Sequence, residues 1–306
     1  MTKVAVIILH FHNQQLTDDC LSSVKNLQTD KFRVETIVVN NNPSEKIDAL
    51  KKKYLKVIFL KTQKNLGFAG GNNLGLNKAL NNKPEFLLIL NNDTLLDKNL
   101  LKELLKATGK DEEIGILGPK IYFAPGYEFH HEQYHPQEKG KVIWYAGGLI
   151  DWRNLVCSHR GVDEIDHGQY QIPGETDFVS GCAMLIKKEV LKKIGFFDEK
   201  YFLYLEDVDF CQRAKKAGFK VAFVPQAKLW HLNAQSSEVG GELQDYYLTR
   251  NRLLFGLRYA SLRTKIALLK ESFYFLLKGR PWQKIGVRDF YLGRFGQGSF
   301  SPKVLK

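Results

Sequence analysis

Cysteine is scarce in this chain of 306 residues: the four thiols, Cys20, Cys157, Cys182 and Cys211, lie far apart and form no C-x-x-C pair. That spacing argues against a zinc ribbon or a disulfide framework and leaves reduced, mostly buried thiols as the expectation. No run of about 18 uncharged apolar residues occurs, so no segment reads as a bilayer-spanning helix. Internal repeats and low-complexity tracts are also missing. The first residues, Met1-Thr2-Lys3-Val4-Ala5-Val6, run directly into a β-branched strand without a cleavage site, so the chain is expected to stay in the cytosol.

What is present describes an ordinary globular protein. Hydrophobic residues make up 44% and the mean hydropathy is −0.29, which excludes disordered, collagen-like and multi-span membrane classes. The length suits one large domain, or a domain with an appendage. Lys and Arg number 45 against 33 Asp and Glu, a net charge of +12. Its distribution is uneven: Val239 to Lys306 holds 13 basic and 4 acidic residues, a net +9, against +3 for everything before it. A near-neutral body with a basic tail suggests an anionic partner for the tail, a solvated basic helix face being the plain alternative.

Strand-like and helical runs alternate over the first 120 residues. Val4–Leu9, Val34–Val39, Val57–Leu60 and Phe86–Leu90 read as strands. Helices are expected at Thr17–Leu27, Ile47–Tyr54, after a glycine-rich turn up to Leu80, and at Leu100–Ala107 with Asp97 as a cap. Such β-then-α units imply a mostly parallel sheet with helices on both faces, whose ligands bind beyond the carboxyl ends of the strands. Further on, Tyr122–Gly140 reads as a polar aromatic loop, Phe178–Ile186 as strand, Glu206–Ala217 as helix and Val221–Val224 as a short strand. Beyond Gly241 the chain reads as helical, with Tyr247, Leu254 and Leu257 on one stripe.

Several motifs fall where chemistry is expected. Asn91-Asn92-Asp93 follows a buried strand and offers a carboxylate for a hard divalent cation; turn chemistry is the plainer reading. Asn65 to Gly75 lies between strand and helix and could bring backbone N–H groups to a diphosphate, or simply make a tight turn with close helix packing. Glu206, Asp207 and Asp209 crowd three carboxylates at a helix start, enough to raise one pKa and supply a general base, or else complement the helix dipole. His131-Glu132-Gln133-Tyr134-His135 matches the H-E-x-x-H zinc signature literally, but the flanking Pro125-Gly126 and Pro136 leave too little helix, so a loop is expected.

Taken in order, these segments resemble a family 2 glycosyltransferase of the GT-A fold, nearest its rhamnosyltransferase-like and galactofuranosyltransferase-like branch. The likeness runs from Val4 to about Gly296 and rests above all on Gly181-Cys182-Ala183-Met184, Gly195-Phe196-Phe197-Asp198-Glu199, Leu205-Glu206-Asp207-Val208-Asp209 and Trp230-His231. Tyr246-Tyr247-Leu248-Thr249-Arg250-Asn251-Arg252 adds to it. The resemblance implies a catalytic domain over 1–238, with a donor-binding half to about 120 and an acceptor half from about 121, and a basic amphipathic helical tail over 239–306.

It also implies roles. Asp207 would be the general base of an inverting transfer, and Asp93 and His231 the ligands of Mg2+ or Mn2+ on the diphosphate of a nucleotide-sugar. Phe11, Asn13, Asn40, Asn42, Asn65, Gly70, Asn72 and Asn92 would face the donor. Trp152, Glu206, Asp209, Arg250 and Arg252 would face the acceptor or stand behind the base. Three departures matter. Asn40 replaces the usual Asp at the nucleotide base, Asn91 replaces the first acid of D-x-D, and His10-Phe11-His12 replaces the usual start of Thr-Tyr-Asn.

The acceptor implied is a saccharide, in particular a lipid-linked one in cell-surface polysaccharide synthesis. Ile266, Leu269, Phe273, Leu276 and Leu277 beside Lys265, Lys270, Lys278 and Arg280 would let residues 262–306 lie on an anionic membrane, on the inner face of the plasma membrane. The alternative is that this stripe packs on the catalytic domain. Two other classes compete. A sugar-phosphate nucleotidyltransferase would need a basic Gly-rich loop where His10–Asn13 stands, and a nucleic-acid-binding protein would need a recognition module that the basic residues do not form.

Overall fold

The computed structural model describes residues 1–109, 111–233 and 240–301. The expected boundary at 238/239 and the basic residues Lys303 and Lys306 lie outside the described residues. In chain order the elements are β1 (Thr2–His10), α1 (Gln14–Lys25), β2 (Phe32–Asn40), α2 (Asp48–Lys53), β3 (Ile58–Lys61), α3 (Gly67–Leu80), β4 (Phe86–Asn91), β5 (Thr94–Leu96), α4 (Leu100–Thr108) and β6 (Ile114–Phe123). After them come β7 (Ile143–Tyr145), β8 (Gly148–Asp151), β9 (Val156–His159), β10 (Gly174–Glu175), β11 (Ala183–Lys187), α5 (Lys188–Ile194), α6 (Glu206–Lys216) and β12 (Lys220–His231). Three helices follow, α7 (Glu242–Tyr259), α8 (Leu262–Lys278) and α9 (Pro281–Tyr291).

One large sheet runs β10-β12-β6-β11-β4-β1-β2-β3, with β5 added to β12 and β7 to β6. β1 to β4 are mutually parallel, as the alternation of elements implies, and β6 and β12 are parallel to each other. Between those blocks β11 is antiparallel to both β4 and β6. In β1 and β4, Val4–Ile8 and Leu87–Leu90 are wholly buried without alternation, because helices cover both faces. Each such side chain contributes roughly 1.5–3 kcal/mol by leaving water. Strand order reverses between β1 and β4, and the crevice beyond their carboxyl ends is where such sheets bind ligands.

Some expectations are corrected. The glycine run Gly67–Gly75 is helix rather than turn. Its glycines let α3 lie close on β1, where a Cβ on Gly71 or Gly75 would collide with Leu9 or Ile7. Only Ala183–Lys187 of the expected strand at 178–186 is extended, while the short strand expected at 221–224 is a strand of twelve residues ending at His231. Asp97 precedes α4 but its carboxylate accepts from the N–H of Asn99, outside the helix, and the cap residue Asn99 makes no side-chain cap. His131–His135 lies in turns, not in a helix, so the zinc signature is coincidental. Cys20, Cys182 and Cys211 are buried and all four thiols are free, as expected.

Candidate active site

β5 is antiparallel to β12 with Thr94 opposite His231, and this pairing brings two distant parts of the chain together at the sheet's ligand edge. The Asp93 carboxylate lies 3.2 Å from His231 Nε2, across 138 residues of sequence, and the Asp93 carbonyl accepts from the Leu232 N–H at 2.8 Å. His231 is itself held edge-on against Trp144, ring centroids 4.6 Å apart, and Trp144 meets His159 in the same way at 4.3 Å. Burial lowers the His159 imidazole to about 4, with electrostatic interaction with His231 adding to the effect, while its hydrogen bond to the Trp144 carbonyl works the other way.

Asp207, in the first turn of α6, is fastened from the other direction. Its Oδ2 accepts from the Gly181 N–H at 2.9 Å and its Oδ1 from the Val208 N–H at 2.8 Å. The neighbouring Cys182 carbonyl accepts from the Asn91 N–H at 2.9 Å, so the Gly181–Cys182 backbone links the Asp207 carboxylate to the end of β4. Burial, with the charges of Asp93 and Asp207 adding to it, pushes the Cys182 thiol well up. Burial raises the Asp207 carboxyl above its ordinary range, and the Gly181 and Val208 N–H groups pull it back. Glu206 beside it is raised further, by deeper burial and by the Asp207 charge, and its Oε2 is buried without a partner. Two adjacent carboxyls whose ionisation is mutually unfavourable tend to hold one negative charge between them.

The segment leading into α6 is strained. Phe202, Tyr204 and Leu205 have φ of 65°, 68° and 68°, a left-handed conformation that costs a non-glycine residue about 1–3 kcal/mol and clusters at functional sites. The Phe202 carbonyl accepts from the N–H groups of Phe68 (2.7 Å) and Ala69 (3.3 Å), so the start of α3 is capped by this segment.

The expected donor residues lie along the ends of β1, β2 and β4. Asn13 caps α1 in a left-handed conformation, its side chain accepting from Gln15 and Leu16. Phe11 sits against His12, ring centroids 4.2 Å apart. Asn92 donates to the His12 carbonyl (3.1 Å) and to Thr17 Oγ1 (2.9 Å), and Thr17 also meets buried His10 Nδ1 at 2.7 Å. Asn40 is buried and turned into its own loop, donating to the Glu45 carbonyl (2.9 Å) and accepting from the Asn42 N–H (3.0 Å). Asn42 lies 3.3 Å from His12 Nδ1. Asn65 and Gly67 are organised by Asn41, which lies in the Asn40–Asn42 stretch expected at the ligand edge but was given no role of its own: its amide donates to Asn65 Oδ1 and the Gly67 carbonyl, and accepts from the Leu66 N–H. Gly70 and Asn72 are buried within α3, Asn72 donating to the Phe68 carbonyl at 3.0 Å. The run of three asparagines after β2 is the one signal that could have marked Asn41.

The residues expected on the acceptor side are placed differently from one another. Asp209 is fully buried and accepts from Arg213, Arg258, Tyr201 and Tyr259, tying α6 to α7. Arg250 is fully buried and donates to backbone carbonyls, including those of Gly296 (2.7 Å) and Tyr201 (3.0 Å). Arg252 pairs with Glu271 and donates to the Leu155 and Asn154 carbonyls, holding the turn between β8 and β9. Trp152, in that turn, stacks on Phe255 at 5.9 Å. Of this group only Glu206 adjoins Asp207.

Asp93 and His231 supply one carboxylate oxygen and one imidazole nitrogen, and among the described residues no three His, Cys, Asp or Glu side chains come together as a metal cage. Such a pair suits Mg2+ or Mn2+, which commonly take one or two protein ligands and complete their shell with phosphate oxygens and water.

The profile of the family described as Glycosyltransferase like family 2 matches residues 2–245. The chain is 24% identical over 220 residues to the low-salt glycan biosynthesis hexosyltransferase Agl10 of Haloferax volcanii, covering 71% of this chain and 63% of that protein. It is 26% identical over 194 residues to the N-acetylglucosaminyl-diphospho-decaprenol L-rhamnosyltransferase of Mycobacterium tuberculosis, covering 61% of this chain and 62% of that one. The chain thus spans under two thirds of the length of these relatives. Among solved structures it resembles GalNAc-T7 with UDP, GalNAc and Mn2+ (TM-score 0.60, 17% identity, 90% of this chain and 56% of that one). It also resembles the Pyrobaculum calidifontis mannosyltransferase PcManGT with GDP-Man and Mn2+ (TM-score 0.55, 15% identity, 97% and 76%).

Proposed function

The chain belongs to glycosyltransferase-like family 2 and has the GT-A fold, and from that premise we propose that it transfers a sugar, with inversion, from a nucleotide-diphospho-sugar to an acceptor hydroxyl. The observation that carries the reading is the meeting of Asp93 with His231 at 3.2 Å, while Asp207 is fastened through Gly181 to the same strand end. Asp93 and His231 would hold a divalent cation. When bound, that ion would neutralise the departing nucleoside diphosphate. The Asp207 carboxylate takes the proton from the acceptor hydroxyl as its oxygen bonds to the anomeric carbon and the bond from that carbon to the diphosphate breaks. Burial and the neighbouring Asp207 charge raise the Glu206 carboxyl well above its ordinary range, which favours a single negative charge on this pair of carboxyls. Asn92, Asn13 and Asn42 line the donor crevice, and Asp209 holds α6 in place.

The acceptor proposed is a lipid-linked saccharide, supported by the name of the mycobacterial relative and by α8. No helix among the described residues is long and apolar enough to cross a membrane. α8 buries Thr264, Leu268 and Ser272 against the body, and leaves Leu262, Ile266, Phe273 and Leu277 exposed by 75%, 46%, 60% and 77% on the opposite face. Lys265, Lys270 and Lys278 on this helix make no ion pair among the described residues, whereas Arg252, Arg258, Arg280 and Arg288 of the tail are paired internally. An apolar stripe with unpaired cations suits an anionic lipid surface, on the cytoplasmic face of the membrane.

A panel of nucleotide-sugars with Mg2+ and Mn2+ tests the reading. One or more donors should be turned over, and should raise the melting temperature only when metal is present. No turnover and no metal-dependent stabilisation by any donor would sink it.

A further inference from the structure

Two of the polar side chains of α7 are fully buried, Arg250 and Asn251, and their hydrogen bonds converge on the segment just before α6. The Asn251 amide nitrogen faces the carbonyls of Tyr201 (2.9 Å), Leu203 (2.8 Å) and Tyr204 (2.8 Å). Arg250 donates to the carbonyls of Lys200 (3.1 Å) and Tyr201 (3.0 Å), and its Nε donates to Asn251 Oδ1 at 3.0 Å, which orients the amide. A backbone that turns left-handed at Phe202, Tyr204 and Leu205 is not one these residues choose unaided. It leads directly into Glu206 and Asp207, and it also caps the start of α3 through Phe202.

We propose that the Arg250–Asn251 pair positions the base: it holds the left-handed 202–205 segment from behind and so aims the Asp207 carboxylate, without touching a reactant. The proposal rests on the reading of Asp207 as the base. A helix of the basic tail thereby becomes part of the catalytic apparatus. Asn251 is suited to this because a short amide can serve several carbonyls at once while its oxygen stays locked to Arg250.

The test is Asn251→Ala, read by hydrogen exchange and by kinetics. Exchange over residues 199–209 should quicken by about tenfold or more while β1 and β2 stay unchanged. kcat should fall about a hundredfold with the donor KM held within about threefold, as expected for a misplaced base. Glycine adopts positive φ freely, so the double variant Leu205→Gly/Asn251→Ala should recover about tenfold of the lost kcat. If Asn251→Ala does not fold, Asn251→Ser, which keeps one donor, is measured in the same way. Unchanged exchange, a kcat within about twofold of the parent, a KM that rises in step with the loss of kcat, or no recovery in the double variant overturns the proposal. Should the parent protein turn over no donor at all, the reading of the site fails, and the exchange measurement still decides whether the clamp exists.

Discussion

At the scale of single residues three outcomes are expected. Asp207→Asn keeps the shape of the side chain but removes its basicity, so transfer should fall by about a thousandfold or more while metal-dependent donor binding, followed by thermal shift, is kept. The pH dependence has a sign. A general base works in its ionised form and burial raises the Asp207 pKa, so on the proposed reading kcat/KM should climb with pH through a value above the 3.8 of an ordinary Asp. The second concerns the pair at the strand ends. Asp93→Ala or His231→Ala should weaken stabilisation by metal plus nucleoside diphosphate, and leave the fold of the unliganded protein close to its original melting temperature. The third is structural. His159 has a pKa lowered from 6.5 to about 4, so its neutral form supports the fold above pH 6.5, and that support is lost as pH falls through about 4. The loss is about 3 kcal/mol at most. His159→Phe should flatten the acid side of a melting-temperature profile, and an unchanged profile would count against the assignment.

At the scale of elements, much was legible in the sequence and the rest fails for physical reasons. The parallel strands β1 to β4 were readable because Val4–Leu9 and Phe86–Leu90 are continuous apolar runs, and so were the positions of Asp93 just after a strand and of Asp207 at a helix start. The helix start at Gly67 was not readable. Four glycines oppose helix by local preference, and only close packing on Leu9 and Ile7 reverses that. That packing is testable: Gly75→Ala should cost about 1–3 kcal/mol in chemical denaturation, since the new Cβ meets the Ile7 side chain. The roles of Arg250 and Asn251 were hidden too, because which carbonyls a buried donor serves is a property of the assembled fold. α8 shows the opposite case, an apolar stripe visible in sequence whose exposure only the structure reveals. Replacing Phe273 and Leu277 by Glu should abolish co-sedimentation with anionic vesicles while stability changes by less than about 0.5 kcal/mol.

At the scale of the whole molecule, the basic residues of the tail fall into an internally paired set and an exposed set on α8. Part of the tail's basic charge is internal: Arg258 bridges Asp198 and Asp209, and Arg250 is enclosed by the carbonyls of residues 200–201 and 294–296. The contacts of Arg258 and of Arg250 with residues 198–209 bind the tail to the body, while the Tyr246 hydroxyl on Asp289 at 2.6 Å ties α7 to α9 within the tail. Removing residues 262–306 would therefore take away Asp289 and the Gly296 carbonyl along with the exposed face of α8. Point changes on that face are the sound way to examine membrane contact. On the proposed reading the catalytic centre needs little net charge, since Asp93 and His231 would meet a diphosphate through a shared cation. Both halves of the molecule then converge on Asp207, reached from the sheet through Gly181 and from the tail through the 202–205 segment. The most direct measurement is transfer by the parent protein and by Asp207→Asn with the donor that the panel selects, each with and without Mn2+. Metal-dependent transfer by the parent, lost in Asp207→Asn with donor binding intact, is the expected result; near-parental turnover by Asp207→Asn would contradict it.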